Sequence, residues 1–451
     1  MKTLSKLGLA FCACSLSLPA LAQFDDSFVF DDSMFDDSSL FETADSQPGH
    51  FRFRLSHQSV AHINRHTRAA VGGGTETRAR GLENNRSALN IRYQNPFREG
   101  WLLQASGQLR GYLPGDYEYN NPTREDWEWR LNELFVQRSG QRNSLAFGRQ
   151  TIVWGETIGN SVLDVINTTE YRDLTIIDIE DARLNQWLLV WDHFSDHGTW
   201  SSFVNLYPEF DPLPVDNSPL FPGSPLRLPH YHRDKPLFEL GTRWSRSFTG
   251  SDVAVMAARL YENGLRFTPP TDGSNRAIAH INDYMLLGLS ANRAIDRLLL
   301  TLDMSYSQGV LVDSLTNAFP TLNKGDLLGI SAGFEYGISA TRLISVGLRF
   351  ERLQNIERGA AERINDLRLD TRGDLLVRYS HSIMNEEVML SATFQGQLDG
   401  EAGLLNLAAD YRINDDWELR SQIILTRADP ASTLYFLDQD IRLGLTLSYS
   451  F

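Results

Sequence analysis

Residues 441–451 alternate without interruption between apolar and polar side chains. The apolar positions are Ile441, Leu443, Leu445, Leu447, Tyr449 and Phe451, and the polar positions are Arg442, Gly444, Thr446, Ser448 and Ser450. A period of two predicts an extended strand with one face in apolar surroundings and the other in polar surroundings. The edge strand of a soluble sandwich is the alternative, but so long and apolar an unprotected edge would promote aggregation.

Similar segments, about eighteen in all, follow one another from residue 50 onward, and most have about 10 residues, enough for a tilted strand to cross a bilayer. The connections between them alternate in length. The short ones are 94–100, 139–142, 294–296, 337–341, 382–386 and 413–416; the long ones are 64–85, 114–126, 152–185, 208–236, 263–282 and 310–325. This asymmetry is typical of transmembrane barrels, which have short periplasmic turns and longer outer loops.

We therefore predict an all-β fold, a transmembrane antiparallel up-and-down β-barrel of about 18 strands with an inward-folded long loop. A count of 16 stays open, because one pair of segments could be wrongly assigned. Segments 127–138 and 253–262 alternate poorly, and we expect bulges there.

The last segment ends on Phe451, with Tyr449 and Leu447 at the alternate positions before it. This ending resembles the closing strand of bacterial outer-membrane β-barrels, in which a terminal Phe is the assembly signal. The resemblance implies that the barrel-assembly machinery and outer-membrane lipid are partners of this chain.

The first 22 residues read as a secretory signal peptide. A basic start with Lys2 and Lys6 precedes an apolar run over 7–21 and a small-x-small site that ends at Ala22. We expect cleavage after Ala22 and localisation in the outer membrane of a Gram-negative bacterium. Both cysteines, Cys12 and Cys14, lie in the removed segment, so the mature chain would have neither disulfides nor thiol chemistry.

Residues 23–49 form an acidic leader, and residues 50–451 form the barrel. Phe-Asp-Asp-Ser occurs at 24–27, 30–33 and 35–38, and a degenerate copy begins at Phe41. So many adjacent carboxylates repel one another, and we expect the leader to be disordered in isolation. It is either a solvated tail, a segment that binds a periplasmic partner through residues 24–45, or a segment that folds back into the barrel mouth.

Charge and motifs exclude several functions. Without Lys2 and Lys6 the formal charge falls from −15 to −17, which argues against nucleic acid as a partner. Asp192, His193, Asp196 and His197 are candidate metal ligands, but they fall in an expected periplasmic turn. We predict no cofactor, no metal site and no enzymatic activity.

Inward-facing arginines are the first candidate functional residues. By parity they include Arg92, Arg110, Arg243, Arg349, Arg378, Arg420 and Arg442. A charge facing hydrocarbon at mid-depth costs about 2–4 kcal/mol, so these side chains should face a wet lumen. They either pair with acids and brace the wall or guide an anionic solute.

The longest loop, 152–185, is the second candidate. An eighteen-stranded barrel is too wide for its own side chains to fill, and the loop carries apolar residues that should pack inside it. We predict a pore constriction formed by Arg149, Glu156, Asp164, Glu170, Asp173, Asp178, Glu180 and Asp181. Acids on the loop opposite bases on the wall would set a transverse field that selects solutes.

Two stretches support this interpretation by resemblance. Gly-Arg-Gln-Thr-Ile-Val-Trp-Gly at 148–155 and Val-Leu-Asp-Val-Ile-Asn at 162–167 resemble the strand-and-loop signature of two barrel families. These are the alginate-export porins and a related uncharacterised proteobacterial family associated with exporters of the resistance-nodulation-division type. The resemblance implies a large monomeric barrel with an inward loop over 149–167.

The expected function is a channel for passive diffusion or export of a polar, anionic or amphipathic solute. The alternatives are a non-conducting structural or adhesion barrel and an outer-membrane component of a trans-envelope export system.

Overall fold

The computed structural model describes most of the chain after the leader. The described residues are 49–64, 66–69, 75–78, 80–120, 125–159, 161–170, 172–173, 182–213, 236–270, 277–316, 319–357, 362–364, 366, 368, 372–430, 432 and 434–451. The expected signal peptide (1–22) and nearly all of the acidic leader lie outside them. Within the described residues no helix is both long and apolar enough to cross a membrane.

Eighteen strands of the described residues form one closed antiparallel wall. They are β1 (His50–His62), β2 (Gly81–Arg98), β3 (Trp101–Tyr112), β4 (Trp127–Ser139), β5 (Asn143–Gln150), β6 (Gln186–Ser195), β7 (Gly198–Asn205), β8 (Glu239–Phe248), β9 (Ser251–Tyr261), β10 (Asp283–Ile295), β11 (Leu298–Thr316), β12 (Phe319–Ser339), β13 (Arg342–Gln354), β14 (Arg372–Ile383), β15 (Val388–Gln397), β16 (Ala402–Arg412), β17 (Trp417–Ala428) and β18 (Ile441–Ser450). Each strand pairs with the next, and β1 also pairs with β18, which closes the wall. The predicted fold and strand count are confirmed.

The alternation of side chains around the wall follows the predicted parity. On β11, Leu300, Leu302 and Met304 are exposed on the outer face, whereas Thr301 and Asp303 between them are buried on the inner face. An outer face of this kind has the composition that hydrocarbon requires.

The alternation of turn lengths is also confirmed, with one correction. The connections 99–100, 140–142 and 196–197 lie at one end of the barrel, and 113–126 and 151–185 lie at the other. The predicted loop 310–325 is wrong, because β11 and β12 stay paired until Thr316 lies opposite Phe319. Val310 and Val312 are buried in the main apolar cluster. Their burial stabilises the part of this hairpin that is longer than the neighbouring hairpins.

One of the two expected bulges is present. The pairing of β3 with β4 shifts register between Ser106 and Gly107, opposite Asn132. The bulge expected at 253–262 is wrong, because β9 pairs with both neighbours without a register shift. This segment alternates poorly because Met256 and Leu260, on its inner face, are apolar and buried.

Aromatic side chains meet at the seam between β18 and β1. Backbone hydrogen bonds of 2.9 and 3.0 Å join Phe451 and Phe53, and their rings stack with centroids 5.4 Å apart. The Tyr449 ring lies 5.5 Å from the Phe451 ring and 4.8 Å from Trp417. Leu447 faces outward on the same strand. The seam is therefore closed by hydrogen bonds and covered by rings, whereas the role of these residues as an assembly signal stays a prediction.

We expect Phe451→Ala to weaken the seam without breaking its backbone bonds. Loss of two ring contacts should lower the free energy of unfolding in lipid vesicles by about 1–3 kcal/mol. It should also lower the fraction of heat-modifiable, folded barrel in cells. Phe394→Ala, on the outer face of β15, is the matched control away from the seam. Equal assembly yields for the two variants would contradict the assigned role of Phe451.

Candidate pore constriction

The segment 152–167 lies inside the barrel against the inner wall. Leu163 and Ile166 are almost completely buried, and they belong to one apolar cluster with Leu188, Met256 and Leu286. These three wall residues occupy inward positions on β6, β9 and β10. The apolar inner face is therefore the surface on which the loop packs, and the predicted inward fold of the loop is confirmed.

Glycines in the wall leave room for the loop. A Cβ at Gly288 would lie 2.5 Å from Leu163 Cδ2, and a Cβ at Gly329 would lie 3.0 Å from Val162 Cγ1. A Cβ at Gly241 would lie 2.7 Å from the Trp154 ring. Real Cβ atoms do not approach other atoms as closely as 2.5–2.7 Å, and 3.0 Å is tighter than ordinary contact, so the loop occupies space that glycine leaves open.

Asp303 holds the turn of the loop from the wall side. Its carboxylate accepts hydrogen bonds from the N–H of Glu156 (3.1 Å), the N–H of Thr157 (2.8 Å) and the hydroxyl of Ser161 (2.8 Å). Asp303 is fully buried, and a buried carboxylate is stable only when donors of this kind satisfy it. The aspartate and the loop backbone therefore satisfy each other.

The base of the loop is closed by amide side chains. Asn167 donates to the carbonyl of Ile152 (2.7 Å) and accepts from its N–H (3.2 Å). Asn263 donates to the carbonyls of Val165 (3.0 Å) and Asn167 (2.7 Å). The loop is thus tied both to its own start and to the outer connection 262–282.

Beyond residue 167 the chain passes to the opposite part of the wall. Glu170 accepts from Arg130 on β4 at 2.8 Å and pairs with Arg172 within the loop. Asp173 accepts from Arg86 on β2 at 2.7 Å. Residues 156–163 contact β10, β11 and β12, whereas Glu170 and Asp173 contact β4 and β2. Because these strands are well separated around the ring, the loop crosses the lumen and narrows it.

Ion pairing keeps the buried carboxyl group of Glu170 ionised. Burial acts to raise the pKa of Glu170, but Arg172 and Arg130 outweigh it, so the pKa is lowered. For Arg172 burial acts to lower the pKa, and its pair with Glu170 raises it well above its ordinary value. This part of the loop is therefore an internal salt-bridge network and does not present charge to a passing solute.

The remaining loop acids that the structure describes, Glu156 and Asp164, are both partly exposed. Glu156 lies 3.5 Å from Arg243 and accepts from Asn292 at 3.1 Å. Asp164 pairs with Arg183 at 3.0 Å. Each loop acid discussed so far thus contacts an arginine directly, whereas the transverse field predicted from the sequence needs opposite charges that face each other across the opening. Asp178, Glu180 and Asp181 lie outside the described residues.

Arg149 does not lie where the sequence analysis placed it. It is opposite Leu134 and Trp187 in the register and shares the parity of the exposed Leu145 and Phe147. Its guanidinium donates to the carbonyl of Leu131 (2.8 Å) and to Glu209 (2.8 Å). A long side chain near a strand end can place its charge at the rim in this way, so the prediction that Arg149 faces the lumen is wrong.

The predicted wall arginines face inward, and several brace the wall. Arg349 pairs with Asp374 (2.9 Å), and Arg420 pairs with Asp410 (2.5 Å). Arg442 is fully buried between Glu83 (2.6 Å) and Asp440 (2.8 Å) at the outer end of β18. It therefore stabilises the rim and does not line an open path.

The other predicted arginines contribute in different ways. Arg243 contacts the loop through Glu156, and Arg110 is buried and donates to Gln108 at 2.8 Å. Arg92 and Arg378 lie on the inner face with partly exposed side chains. Of the predicted set, Arg92, Arg378 and the paired Arg243 and Arg420 thus retain accessible charge on the wall.

The alternation of residues 298–306 places Asp303 on the inner face but does not by itself identify it as a loop contact. The signal for its role is that β9 and β10 are apolar on both faces, as at Leu260 and Leu286, which a strand lined by water would not be. Such strands must be covered from inside, and an inward glycine on them, such as Gly288, or an inward aspartate on the next strand, such as Asp303, identifies where the cover attaches.

Asp192 and His193 of the expected turn cluster lie on β6, and Asp196 and His197 lie in the turn after it. His193 hydrogen-bonds Asn143 at 3.0 Å, and Asp196 and His197 are exposed in the turn 196–197. Within the part of the chain that the structure describes, no three His, Cys, Asp or Glu side chains are placed to hold a metal ion.

The fold is similar to that of solved barrels. Pseudomonas aeruginosa OccK8 (OprE) matches with a TM-score of 0.54 and 11% identity over 91% of this chain and 99% of that chain. Acinetobacter baumannii OccAB3 matches with a TM-score of 0.52 and 11% identity over 89% and 99% of the two chains. At such low identity these matches establish the fold alone.

No protein-family model matches the chain, and no curated protein matches it in sequence. The resemblance of 148–167 to the alginate-export porins therefore stays a prediction.

We expect Asp303→Asn to release the turn of the loop. An amide presents N–H groups to donors that need an acceptor, and each lost charged hydrogen bond removes about 1.5–3 kcal/mol of docking. Single-channel conductance and its noise should both rise, and limited proteolysis should cut within 152–167. Asp374→Asn removes an equally buried inner carboxylate that pairs with Arg349 on the wall, so it is the matched control. Similar conductance increases in both variants would contradict the assignment.

Asp211 should make a second loop contact dependent on pH. It accepts a 2.8 Å hydrogen bond from the N–H of Thr169. Burial raises the pKa of Asp211 to about 7; that hydrogen bond opposes the shift and the nearby Glu170 adds to it. An unfolded aspartate has a pKa of about 3.9. The stability that the folded state gains from protonated, buried Asp211 is therefore fully present below about pH 4 and is lost as the pH rises through about 7.

We expect hydrogen exchange at Thr169, corrected for intrinsic rates, to be faster at pH 8.5 than at pH 5.5. Asp211→Asn should remove most of this difference, since an amide does not titrate. An unchanged pH dependence in that variant would assign the effect to another group.

Proposed function

We propose that the protein is an outer-membrane channel through which polar anionic or amphipathic solutes diffuse, in the space left between the docked loop and the arginine-bearing wall. The apolar outer face and closed wall support a barrel that spans the outer membrane. The expected cleavage after Ala22 is consistent with that location and stays part of the proposal.

One observation carries the anionic preference. The loop acids Glu170 and Asp173 are buried against arginines, whereas Arg92 and Arg378 are partly exposed on the inner face. Accessible guanidinium groups attract anions, and low-dielectric walls strengthen that attraction. The loop covers the apolar stretch of the inner face, so the open path favours polar groups of a solute. An apolar group of an amphipathic solute would have apolar surroundings only beside the loop.

A second candidate function is export of the solute, either by the barrel alone or as the outer-membrane component of a trans-envelope system. It draws its support from the sequence resemblance at 148–167. A closed adhesion barrel would need the loop to fill the lumen completely, which predicts no conductance.

Reversal potentials in a KCl gradient test the proposal. We expect chloride to permeate better than potassium, and Arg92→Gln with Arg378→Gln should move the permeability ratio toward unity. Arg259→Gln is the matched control, because Arg259 lies on the outer face and pairs with Asp283. Cation preference in the native channel would contradict the anionic path, and a complete lack of conductance would favour the adhesion barrel.

A further inference from the structure

A second segment of the chain lies against the inner face of the barrel, where β16 pairs with β17. It belongs to the connection 429–440, whose described residues are 429–430, 432 and 434–440. Leu434, Phe436 and Leu437 are buried in one apolar cluster. The wall members of this cluster all occupy inward positions and are Ala402, Leu404, Ile424 and Ala428. The segment therefore folds inward over the wall.

The wall beneath this segment is apolar on its inner face. Leu404 on β16 and Ile424 on β17 are each 1% exposed, although they occupy inward positions. An inner face lined by water would not carry such residues. The long loop packs in a different apolar cluster. Within the described residues, the segment therefore covers a second apolar area, separate from the one under the long loop.

Hydrogen bonds attach the segment to β17. The hydroxyl of Thr426 donates to the carbonyl of Leu437 (2.6 Å), and the N–H of Thr426 donates to the carbonyl of Asp440 (3.0 Å). The N–H of Ala428 donates to the carboxylate of Asp438 (3.0 Å). The polar groups of the segment are thus satisfied by the same strand that its apolar side chains cover.

The end of the segment is fixed across the seam between β18 and β1. Asp440 is fully buried, accepts from Arg442 at 2.8 Å and lies 3.2 Å from Nε2 of His62, the last residue of β1. Asn64 donates to the carbonyl of Gln439 at 2.6 Å. A buried carboxylate is stable only with partners of this kind, so Asp440 holds the segment at one position in the barrel.

Tyr435 is the largest side chain that the segment leaves partly exposed. It begins a single 3₁₀ turn, Tyr435–Leu437. Successive residues of such a turn lie about 120° apart, and Leu434, Phe436 and Leu437 all face the wall cluster. Tyr435 therefore lies on the side of the segment that faces away from the wall, toward the lumen.

We propose that residues 429–440 form a second inward element that limits the width of the channel together with the long loop, and that Tyr435 sets the limit on this side. Asp440 and the apolar residues are positioning residues, whereas Tyr435 contacts the solute. The arrangement favours narrow solutes over bulky solutes of the same charge. The limit on solute size rests on the proposed channel function, whereas the docking of the segment does not.

Loss of the apolar contacts tests the effect on conduction. We expect Phe436→Ala with Leu437→Ala to raise single-channel conductance by roughly half, because the narrowest cross-section limits ion flow. The largest polyethylene glycol that enters the pore should also become larger. Leu265→Ala with Phe267→Ala is the matched control, because it removes the same two side-chain types from another buried cluster in the outer connections.

Tyr435→Ala separates the width of the pore from the docking of the segment. Conductance and the polymer cut-off should both rise, while the segment stays in place. Tyr411→Ala, on the outer face of β16, is the control and should change neither quantity.

Thiol labelling tests the docking without relying on conduction. In detergent micelles a maleimide should react slowly with Leu437→Cys, which replaces a buried residue, and rapidly with Gln439→Cys, which replaces an exposed one. Asp440→Asn, and independently Phe436→Ala, should speed the reaction at position 437. Asp374→Asn removes a carboxylate of similar burial on β14 and should not. Heat-modifiable mobility in gels reports that each variant is folded, and Phe436→Ala leaves the residues of the seam intact.

The outcomes separate the two claims. Slow labelling at position 437 in a barrel that never conducts would keep the docked segment and reject the channel. Equal labelling rates at positions 437 and 439 in a conducting barrel would reject the docked segment. Unchanged conductance and polymer cut-off in both Phe436→Ala with Leu437→Ala and Tyr435→Ala would overturn the role of the segment in limiting the width.

Discussion

The whole structure depends on one constraint, that backbone N–H and C=O groups inside hydrocarbon must all be paired within the protein. A sheet satisfies this only when it has no free edge, and the hydrogen bonds of β1 with β18 remove the last edge. Eighteen strands close around a space wider than their side chains can fill. The inner surface therefore needs a separate cover, and the long loop between β5 and β6 provides it.

The cover is attached by complementary groups. Glycines at 241, 288 and 329 leave space on the wall, apolar side chains fill it, and Asp303 accepts the hydrogen bonds of the loop backbone at its turn. Arginine–carboxylate pairs then fix the far end of the loop to β2 and β4. Charge in the loop thus serves mainly to hold it in place, and the accessible arginines of the wall are the groups to which we assign the proposed anion preference.

Alternation made the wall predictable from the sequence, since each strand in lipid must separate apolar from polar faces. The same rule fails where the inner face is also apolar and buried, as at Met256 and Leu260 on β9. It fails again where a strand extends beyond its neighbours, as at Val310 and Val312 on β11, which are buried in the main apolar cluster. It also failed at Arg149, where a side chain near a strand end reaches the rim and Glu209. The partners of loop acids could not be predicted, because contacts between Asp303 and residues 156–161 join positions far apart in sequence.

A disulfide between loop and wall tests the central claim most directly, that residues 152–167 lie against the inner face. A Cβ at Gly329 would lie 3.1 Å from the Val162 Cβ, close to the separation of about 3.5–4.5 Å that a disulfide needs. Val162→Cys with Gly329→Cys should therefore oxidise completely in the folded barrel, whereas Val162→Cys with Ser391→Cys, on the inner face of β15, should stay reduced. Two free thiols at 162 and 329 under oxidising conditions would contradict the docked loop.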